Sequence, residues 1–408
     1  MKASSESLRR QNRALVLSTL RRLGRASHTE IADWSGLSSS TVSAITTELE
    51  AENILKKREQ QQVGGRGRPR ILFGQNPDCA FIAAIRIYAE NLEFSLCDYS
   101  GTLKDRFTLK RDSISQGPEL FIENVKTGLE RLVERAAIAR SDIRTISITS
   151  KGLVARGQPV LLWSPILDDN KIDFAQKLKP DWDAHVTLTN ETRFAAQALA
   201  SRYRASEVQM ETSRFACLSL DHAIGLGVAT LDLAGNVSSF APPFGHMVHN
   251  PEGPLCRCGL HGCIEAYAGF YGILRTAFEA PPDVIPAKFI PLKEMEKIAD
   301  NARNGDRMAQ YAFRLAGDAI GIGISRLYSF LGLMPVTITG PGVRFFDLMQ
   351  SGFEKHVNTN LQVRFESVPE ISFEMDEPNL IYEGNAEASL VDLDMNVIAE
   401  RRAEGLGQ

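Results

Sequence analysis

The segment from Gly245 to Glu265, GHMVHNPEGPLCRCGLHGCIE, constrains the fold of this chain more than any other. One imidazole and three thiols fall within eighteen residues, at His246, Cys256, Cys258 and Cys263. Gly259 and Gly262 permit the tight turns that bring such side chains together. Zinc takes Cys₃His sets in closed, tetrahedral structural sites, so we expect a zinc ion here. The alternative is a cluster of free thiols packed as small apolar side chains.

Two further histidines, His249 and His261, are rival ligands, although a lone histidine is more often a surface or core residue. Six cysteines in 408 residues, half of them in this segment, suit a reducing compartment. The start of the chain lacks the apolar stretch of a signal peptide, and Ser325 and Arg326 interrupt the apolar stretch at 319–333. We therefore expect a cytoplasmic protein without a membrane span.

The charge of the chain is unevenly distributed. Residues 1–75 hold 13 Lys and Arg against 7 Asp and Glu, a balance of +6, whereas the other residues hold 33 against 43, a balance of −10. A basic N-terminal module on an acidic body favours contact with a polyanion, and a solvated basic surface is the alternative. The hydrophobic share of 43% indicates a globular protein, and the length predicts two or three domains.

Three short helical patterns precede residue 53. The first, Leu8–Leu23, has apolar residues at helical spacing. Ser27 or Thr29 is expected to cap the second helix, and Gly36 to provide the turn after it. Ser38 is expected to cap the third helix. The inward residues of that helix are then Val42, Ile45 and Leu49.

Two short helices joined by a glycine-containing turn predict a helix-turn-helix, whose third helix enters the major groove of DNA. Small hydroxyl side chains on or beside that helix are the candidate DNA contacts, because they reach phosphates and base edges. These are Ser38, Ser39, Ser40, Thr41, Ser43, Thr46 and Thr47. A three-helix packing module that binds no DNA is the alternative.

A candidate wing follows these helices. Two expected strands, Ile54–Glu59 and Arg70–Phe73, flank the tip GGRGRPR, whose Arg66 and Arg68 suit a narrow minor groove. Alone, this tip is equally typical of a flexible linker. Joined to the helices, it predicts a winged helix-turn-helix domain over residues 1–77. Further attraction to phosphates is expected from Arg9, Arg10, Arg13, Lys56, Lys57 and Arg58.

From Ala80 onward, strand pairs alternate with helices. Pro118–Ala136 has the pattern of a helix, and Ile143–Ser150 that of a buried strand. VTLTNETRF indicates a strand that enters a helix, and VTITGPGV a strand that ends in a glycine turn. Repeated strand pairs, each followed by a helix, predict an α/β body with two related lobes.

With the helix-turn-helix, the wing and the cysteine segment, nearly the whole chain resembles the repressor branch of the ROK family (repressors, open reading frames and sugar kinases). The resemblance implies an actin-like, sugar-kinase fold of two ribonuclease H-like lobes, with a sugar in the cleft between them. It also implies zinc ligation by His246, Cys256, Cys258 and Cys263. The first lobe would comprise residues 78–194 and 380–408, and the second lobe, with the zinc motif, residues 195–379.

Three motifs that hold ATP phosphates in kinase members of the family are altered here. DxGGT is replaced by Arg86-Ile87-Tyr88-Ala89-Glu90, GTGxG by Asp221-His222-Ala223-Ile224-Gly225, and GGG by Gly340-Pro341-Gly342. An arginine stands in place of a carboxylate, an aspartate would repel phosphate, and Pro341 has no N–H to donate. The chain is therefore predicted not to be an enzyme.

The sugar-binding motifs are partly retained. Family kinases have an Asn-Asp pair, and this sequence has Asn190-Glu191, whose longer carboxylate is still able to accept a hydrogen bond from a sugar hydroxyl. The Glu of the family motif GExGH is replaced here by Pro243. The Asn of the family's APNL-like segment is replaced by Ile166. The resemblance implies an effector site of Asn190, Glu191, His246 and Glu265. For the two glutamates, an exposed helix charge is the alternative.

We interpret the chain as a zinc-containing transcriptional regulator, a sugar-responsive repressor that binds operator DNA. It is expected to bind as a dimer or tetramer, because an operator with paired half-sites needs two DNA-binding domains. Two rivals remain. One is an active sugar kinase with a DNA-binding head, and the other is a regulator controlled by a protein partner. The altered phosphate motifs count against the first rival, and the losses at Pro243 and Ile166 favour the second rival over control by a sugar.

Overall fold

The computed structural model describes residues 5–60, 70–88, 90–111, 117–167, 171–205, 214–232 and 235–398. Within these ranges the helices are α1 (Ser5–Leu23), α2 (His28–Ser35), α3 (Ser39–Ala51), α4 (Pro118–Ala136), α5 (Phe174–Leu178), α6 (Glu191–Ala205), α7 (Ile264–Ala268), α8 (Phe270–Ala277), α9 (Leu292–Arg303), α10 (Arg307–Leu331), α11 (Phe346–Val357), α12 (Leu361–Phe365) and α13 (Glu377–Asp392). The strands are β1 (Leu55–Gln60), β2 (Arg70–Gln75), β3 (Phe81–Ile87), β4 (Asn91–Asp98), β5 (Leu103–Lys110), β6 (Ile143–Ser150), β7 (Leu153–Val154), β8 (Val160–Trp163), β9 (Ile172–Asp173), β10 (His185–Asn190), β11 (Arg214–Ser219), β12 (Gly225–Leu231), β13 (Val237–Phe240), β14 (Val336–Thr339) and β15 (Ile371–Glu374). In these ranges, no helix is long and apolar enough to cross a membrane.

Local capping signals define the helices of the N-terminal unit. The Ser27 hydroxyl accepts a hydrogen bond from the Glu30 N–H, and the Glu30 carboxylate accepts one from the Ser27 N–H at 2.8 Å. Gly36 ends α2 with a left-handed φ of 70°, and the Ser38 hydroxyl accepts from the Thr41 N–H at the start of α3. The predicted caps are confirmed, with Ser27 rather than Thr29 at the start of α2.

The three helices share one apolar core with the antiparallel pair β1 and β2. The inward residues expected for α3, namely Val42, Ile45 and Leu49, are buried in it. The same core continues into the body through Tyr99, Ala386 and Leu390, so the unit is packed against the first lobe rather than tethered to it. Arg66 and Arg68 of the wing tip lie outside the described residues.

Thr46 was expected to face DNA, and that expectation is wrong, because its side chain is fully buried. Its hydroxyl donates to the Val42 carbonyl oxygen at 2.9 Å and lies 2.8 Å from Nε2 of His28. Thr46 stands one turn after Val42, on the same face as Ile45 and Leu49. Helical periodicity, rather than side-chain polarity, therefore decides its orientation.

The body contains two mixed sheets with the same connectivity. Among the described residues, one has the order β10-β6-β3-β4-β5 and the other β13-β12-β11-β14-β15. In each sheet three consecutive strands form an antiparallel meander, and the next two strands run parallel to its first strand. This repeat confirms the prediction of an α/β body with two related lobes.

Two helices join the lobes. α6 packs on β11 and β12, α13 packs on β3, and the two helices contact each other. Gly227 of β12 allows α6 to approach, since a Cβ there would lie 1.9 Å from the Thr192 carbonyl oxygen. The boundaries expected at residues 194 and 380 fall inside these helices, and the division into domains stays a prediction.

Candidate metal cluster, cleft and DNA-facing helix

The four residues expected to bind zinc come together in one cluster. The ligand atoms of His246, Cys256, Cys258 and Cys263 all lie within 4.8 Å of one another. A 3₁₀ turn, Phe244–His246, presents the imidazole, and Cys263 stands at the cap position of α7. Gly262 adopts a φ of 68°, and a Cβ there would overlap the Asn250 carbonyl oxygen. Glycine at this position therefore lets the loop close around the cluster.

The donor set fits a tetrahedral zinc ion. Zn–S bonds of about 2.3 Å place two sulfur ligands of a tetrahedron about 3.8 Å apart. Sγ of Cys258 lies 3.7 Å from Sγ of Cys263, and Sγ of Cys256 lies 3.6 Å from Nδ1 of His246. The two rival ligands lie outside this cluster. Nδ1 of His261 is 3.1 Å from the Gly253 carbonyl oxygen, and the ring of His249 packs edge-on against Tyr267.

A cavity of about 670 Å³ lies in the cleft between the two lobes. Residues 151–165 and 185–193 of the first lobe and residues 223–246 of the second contribute to its wall. Three of the four expected effector residues line it, namely Asn190, His246 and Glu265. The ring of Trp163 packs edge-on against His246 at 5.1 Å, so one metal-ligand candidate also forms part of the cavity wall. Pro243, in place of a family carboxylate, lines the cavity as well.

The polar groups of the cavity are held by bonds within the protein. Nδ2 of Asn190 donates to the Gly152 carbonyl oxygen at 3.0 Å, and its Oδ1 accepts from the N–H of Thr192 at 3.1 Å. Glu265 is buried, and burial raises its pKa above the usual range. Its Oε2 accepts from the Ile224 N–H at 3.1 Å, and its Oε1 from Oη of Tyr271 at 3.3 Å. Tyr271 also lies 3.4 Å from Sγ of Cys256, which connects the cavity to the cysteine cluster.

Glu191 does not line the cavity, contrary to the expectation that it contacts an effector. Its side chain is 1% exposed. Its Oε2 accepts a hydrogen bond from Nε of Arg86 at 2.8 Å, and its Oε1 lies 3.7 Å from Nζ of Lys151. These cations draw the carboxylate inward, so a group that kinase members direct at sugar serves here in an internal ion pair.

Two of the three altered phosphate motifs contribute, through Arg86 and Asp221, to a buried charge cluster, which we define as Arg86, Lys151, Glu191, Asp221 and Glu377. Nη2 of Arg86 lies 3.2 Å from Oε2 of Glu377, and Nζ of Lys151 lies 2.5 Å from Oδ2 of Asp221. Burial opposes the charge of Arg86, but Glu191 and Glu377 raise its pKa above the ordinary value. Burial would raise the pKa of Asp221, but Lys151 and His222 lower it well below the usual range.

Lys151 and Glu377 were missed by reasoning from the sequence. A signal existed for Lys151, because a cation directly follows the buried strand β6. Glu377 offered no such signal, since its position near Pro378 resembles any helix start. The five charges of the cluster largely neutralise one another, which leaves no free cation among them to hold a phosphate.

The helix α3 exposes most of the hydroxyl side chains expected to contact DNA. Ser38, Ser39, Ser40, Ser43 and Thr47 are exposed, and Thr41 is half-buried. The Ser38 hydroxyl lies 2.9 Å from that of Ser40 and 2.8 Å from that of Thr41. The first turns of α3 thus present small polar groups, and the charged side chains of the helix, Glu48 and Glu50, lie in its last turn.

The basic side chains expected to attract phosphates are mostly paired within the protein. Arg13 is buried and donates to Glu52 at 2.9 and 2.6 Å, so its expected role at the DNA surface is wrong. Arg9 pairs with Glu48 at 2.5 Å, Lys56 with Asp78 at 3.0 Å, and Lys57 with Glu50 at 2.5 Å. These four side chains are therefore not free to attract phosphates, although Glu48, Glu50 and Glu52 are already counted in the +6 balance.

Comparison with known proteins identifies what the chain is similar to. Residues 82–377 match the model of the ROK family. The chain is 23% identical, over 362 residues, to a protein of Caldicellulosiruptor bescii named xylose repressor; the match covers 86% of this chain and 88% of that protein.

Two solved structures show the fold. One is described as a ROK family transcriptional regulator and homologue of the Escherichia coli MLC protein; it is 18% identical with a TM-score of 0.74 and covers 96% of this chain and 98% of its own. The other, a ROK family glucokinase from Streptomyces griseus in complex with glucose and AMPPNP, is 18% identical with a TM-score of 0.56. It covers 99% of its own length but 76% of this chain. The expected two-lobed sugar-kinase fold is thereby confirmed.

Proposed function

Because the chain belongs to the ROK family, we propose that it is a sequence-specific DNA-binding transcriptional regulator. In this proposal it represses carbohydrate-related genes, and a sugar or sugar derivative in the cleft controls it. The observation that carries the proposal is the joining of two features in one chain. A capped helix, α3, exposes small hydroxyl side chains, and a cleft directs Asn190, His246 and Glu265 at one cavity.

The N-terminal unit acts as a winged helix-turn-helix in this proposal. α3 enters the major groove, where the exposed hydroxyls of Ser39, Ser40 and Ser43 contact phosphates or base edges. Since four of the basic side chains expected to attract phosphates are paired internally, Arg66 and Arg68 of the wing tip supply much of the electrostatic attraction. A homodimer or a tetramer places two N-terminal units on the paired half-sites of an operator.

Negative charge on α3 tests this DNA contact. Ser43→Glu with Thr47→Glu adds two carboxylates one turn apart on an exposed face, so we expect affinity for DNA upstream of the protein's own coding sequence to fall at least about tenfold. Ser351→Glu adds one carboxylate on the exposed face of α11 and controls for added negative charge away from α3. Fluorescence anisotropy with labelled DNA measures both. Equal affinity of the two variants and the unmodified chain would overturn the assignment of α3.

The cleft binds the effector in this proposal. Asn190 and Glu265 offer hydrogen bonds to sugar hydroxyls, and Trp163 with Phe244 gives the cavity an apolar wall. Calorimetry of the full chain against glucose, xylose and N-acetylglucosamine tests it. Glu265→Gln should weaken binding of any sugar that binds, whereas Glu252→Gln, on the exposed part of the same loop, should not. No heat with any sugar favours the rival in which a protein partner controls the regulator.

The chain has no kinase activity in this proposal, because the buried charge cluster takes the place of bound phosphates. Zinc is structural: His246, Cys256, Cys258 and Cys263 hold it, and it fixes the loop that carries Glu265 toward the cavity. Cysteine thiolates and a neutral imidazole bind the metal more tightly than the protonated groups, so metal loading should fall in acid.

A further inference from the structure

Helix α13 begins inside the buried charge cluster. Glu377, at its N-terminus, is 5% exposed. Its Oε2 lies 3.2 Å from Nη2 of Arg86, and its Oε1 accepts a hydrogen bond from the Ser219 hydroxyl. Through Arg86 it is joined to Glu191 and so to Lys151, which also lines the effector cavity. The start of α13 is therefore linked to a cavity-lining residue, Lys151, through Arg86 and Glu191.

The other end of α13 is bonded to α1 of the N-terminal unit. The helix continues as a π-helical turn, Leu393–Ile398, in which the Asp394 side chain is 2% exposed. Both oxygens of Asp394 accept from Arg21 of α1, at 3.0 and 3.1 Å, and Oδ1 also accepts from Tyr99 at 2.5 Å. Bidentate arginine–carboxylate pairs fix orientation as well as distance.

Two more arginines of α1 hold the same turn. Arg10 donates to the Met395 carbonyl oxygen and to Oδ1 of Asn396, each at 3.0 Å. Arg13 donates to the Ile398 carbonyl oxygen at 3.5 Å and, on its other side, to Glu52, the residue that ends α3. One guanidinium thus connects the end of the chain's described part to the helix proposed to read DNA.

Between these two ends α13 is one continuous, packed helix. Sixteen residues at about 1.5 Å each span about 24 Å. Ala386 and Leu390 are buried in the apolar core that also contains Val16 and Leu20 of α1. A packed helix moves as a unit, so a displacement at Glu377 reaches Asp394 with little loss.

We propose that α13 is the positioning element that carries the state of the cleft to α1 and α3, with Glu377 and Asp394 as its two points of attachment. The inference rests on the proposed function, since it needs an effector in the cleft and DNA at the head. An effector that moves Lys151 alters the ion pairs of the buried charge cluster and thereby the position of Glu377. α1, which is bonded to Asp394, then moves with it. The two N-terminal units of an oligomer thereby change their relative positions.

A double-mutant cycle in the full chain tests the connection. Glu377→Gln and Asp394→Asn are measured singly and together for affinity to DNA upstream of the protein's own coding sequence. We expect Glu377→Gln to change the dissociation constant at least about threefold alone and to have almost no effect once Asp394→Asn is present. Asp221→Asn, which breaks the pair with Lys151 without touching α13, is a second cleft variant with the same expected dependence on Asp394.

Asp347→Asn is the matched control, because it makes the same change in a bidentate pair with Arg303 on the far surface of the second lobe. Its effect should add independently to that of Glu377→Gln. Hydrogen exchange gives a readout without DNA: Glu377→Gln should speed amide exchange in α1, and Asp347→Asn should not. Thermal melting shows which variants are folded, and Asp221→Asn serves if Glu377→Gln unfolds.

The possible failures are distinguishable. If the unmodified chain binds no DNA, the proposed function fails, and exchange in α1 still tests the connection. If the chain binds DNA, but the effects of Glu377→Gln and Asp394→Asn on affinity simply add and exchange in α1 is unchanged, the role of α13 is overturned while the proposed function stands.

Discussion

Lys151 and Asp221 join the two lobes across the cleft, with Nζ of the lysine 2.5 Å from Oδ2 of the aspartate. Lys151 directly follows β6 of the first sheet, and Asp221 stands two residues after β11 of the second. Each residue thus follows a strand of its own sheet, and the ion pair connects the two sheets.

The first prediction concerns ATP. The chain should release no ADP from ATP above background with glucose, N-acetylglucosamine or xylose, because Arg86 and Lys151 are already paired with carboxylates. A coupled assay for ADP measures this. Sugar-dependent ADP release that Glu191→Gln abolishes would instead establish a kinase.

The second prediction concerns the metal. The purified chain should contain about one zinc ion, and Cys258→Ala should lose it and lower the melting temperature, since metal binding orders the loop of the cluster. Cys79→Ala is the control, because Cys79 is also half-buried but lies outside the cluster. Metal analysis of the three proteins decides the matter, and full zinc retention in Cys258→Ala would contradict the assignment.

The third prediction concerns acid stability. The pKa of Asp221 is lower in the folded protein than its unfolded value of about 3.9, so its pair with Lys151 stabilises the fold above that pH. This stabilisation is lost as the pH falls through the lower, folded pKa. Asp221→Asn should therefore reduce the free energy of unfolding by about 1.5–3 kcal/mol at neutral pH, with the difference shrinking below about pH 4.

Urea unfolding at a series of pH values measures that difference. Asp347→Asn, in an exposed ion pair, should change stability by less than about 1 kcal/mol at every pH. If the difference in the free energy of unfolding between the unmodified chain and Asp221→Asn grew on acidification, the stabilising role of the Lys151–Asp221 pair would be contradicted.

The fourth prediction separates base reading from phosphate attraction. Ser40→Ala should change the preference among operator variants by about 1–3 kcal/mol if its exposed hydroxyl contacts a base edge. Arg66→Ala with Arg68→Ala should weaken binding to most sequences and flatten its salt dependence, because fewer counterions are released. One titration series at several salt concentrations distinguishes the two effects; identical behaviour of both variants would be inconsistent with this division of roles.

The fifth prediction concerns Thr46. Thr46→Val keeps the shape of the buried side chain but leaves His28 without its hydroxyl partner, so stability should fall by about 1 kcal/mol. Preference among operator variants should be unchanged, since the side chain is inaccessible. Thermal melting and DNA titration measure the two quantities. A changed preference with unchanged stability would mean that Thr46 is exposed in the DNA-bound protein.

Sequence patterns were sufficient to predict the features whose causes lie within a few residues. Both ends of α2 and the start of α3 follow from Ser27, Gly36 and Ser38, because a cap depends on backbone groups within one turn. The Cys/His cluster follows from spacing and glycines in one loop. Even the burial of Thr46 is consistent with its one-turn spacing from Val42, although its polar side chain favoured an exposed position.

Which charged side chains pair with one another followed only from the assembled fold. Arg86 meets Glu191 and Glu377 at separations of 105 and 291 positions, and Lys151 meets Asp221 at 70. An ion pair depends on a few ångströms in space, and the sequence pattern carries no information on that distance until the sheets are assembled. For this reason the retained carboxylate of Glu191 looked like a sugar ligand, and Arg13 looked like a DNA contact. In the folded protein both side chains form internal ion pairs.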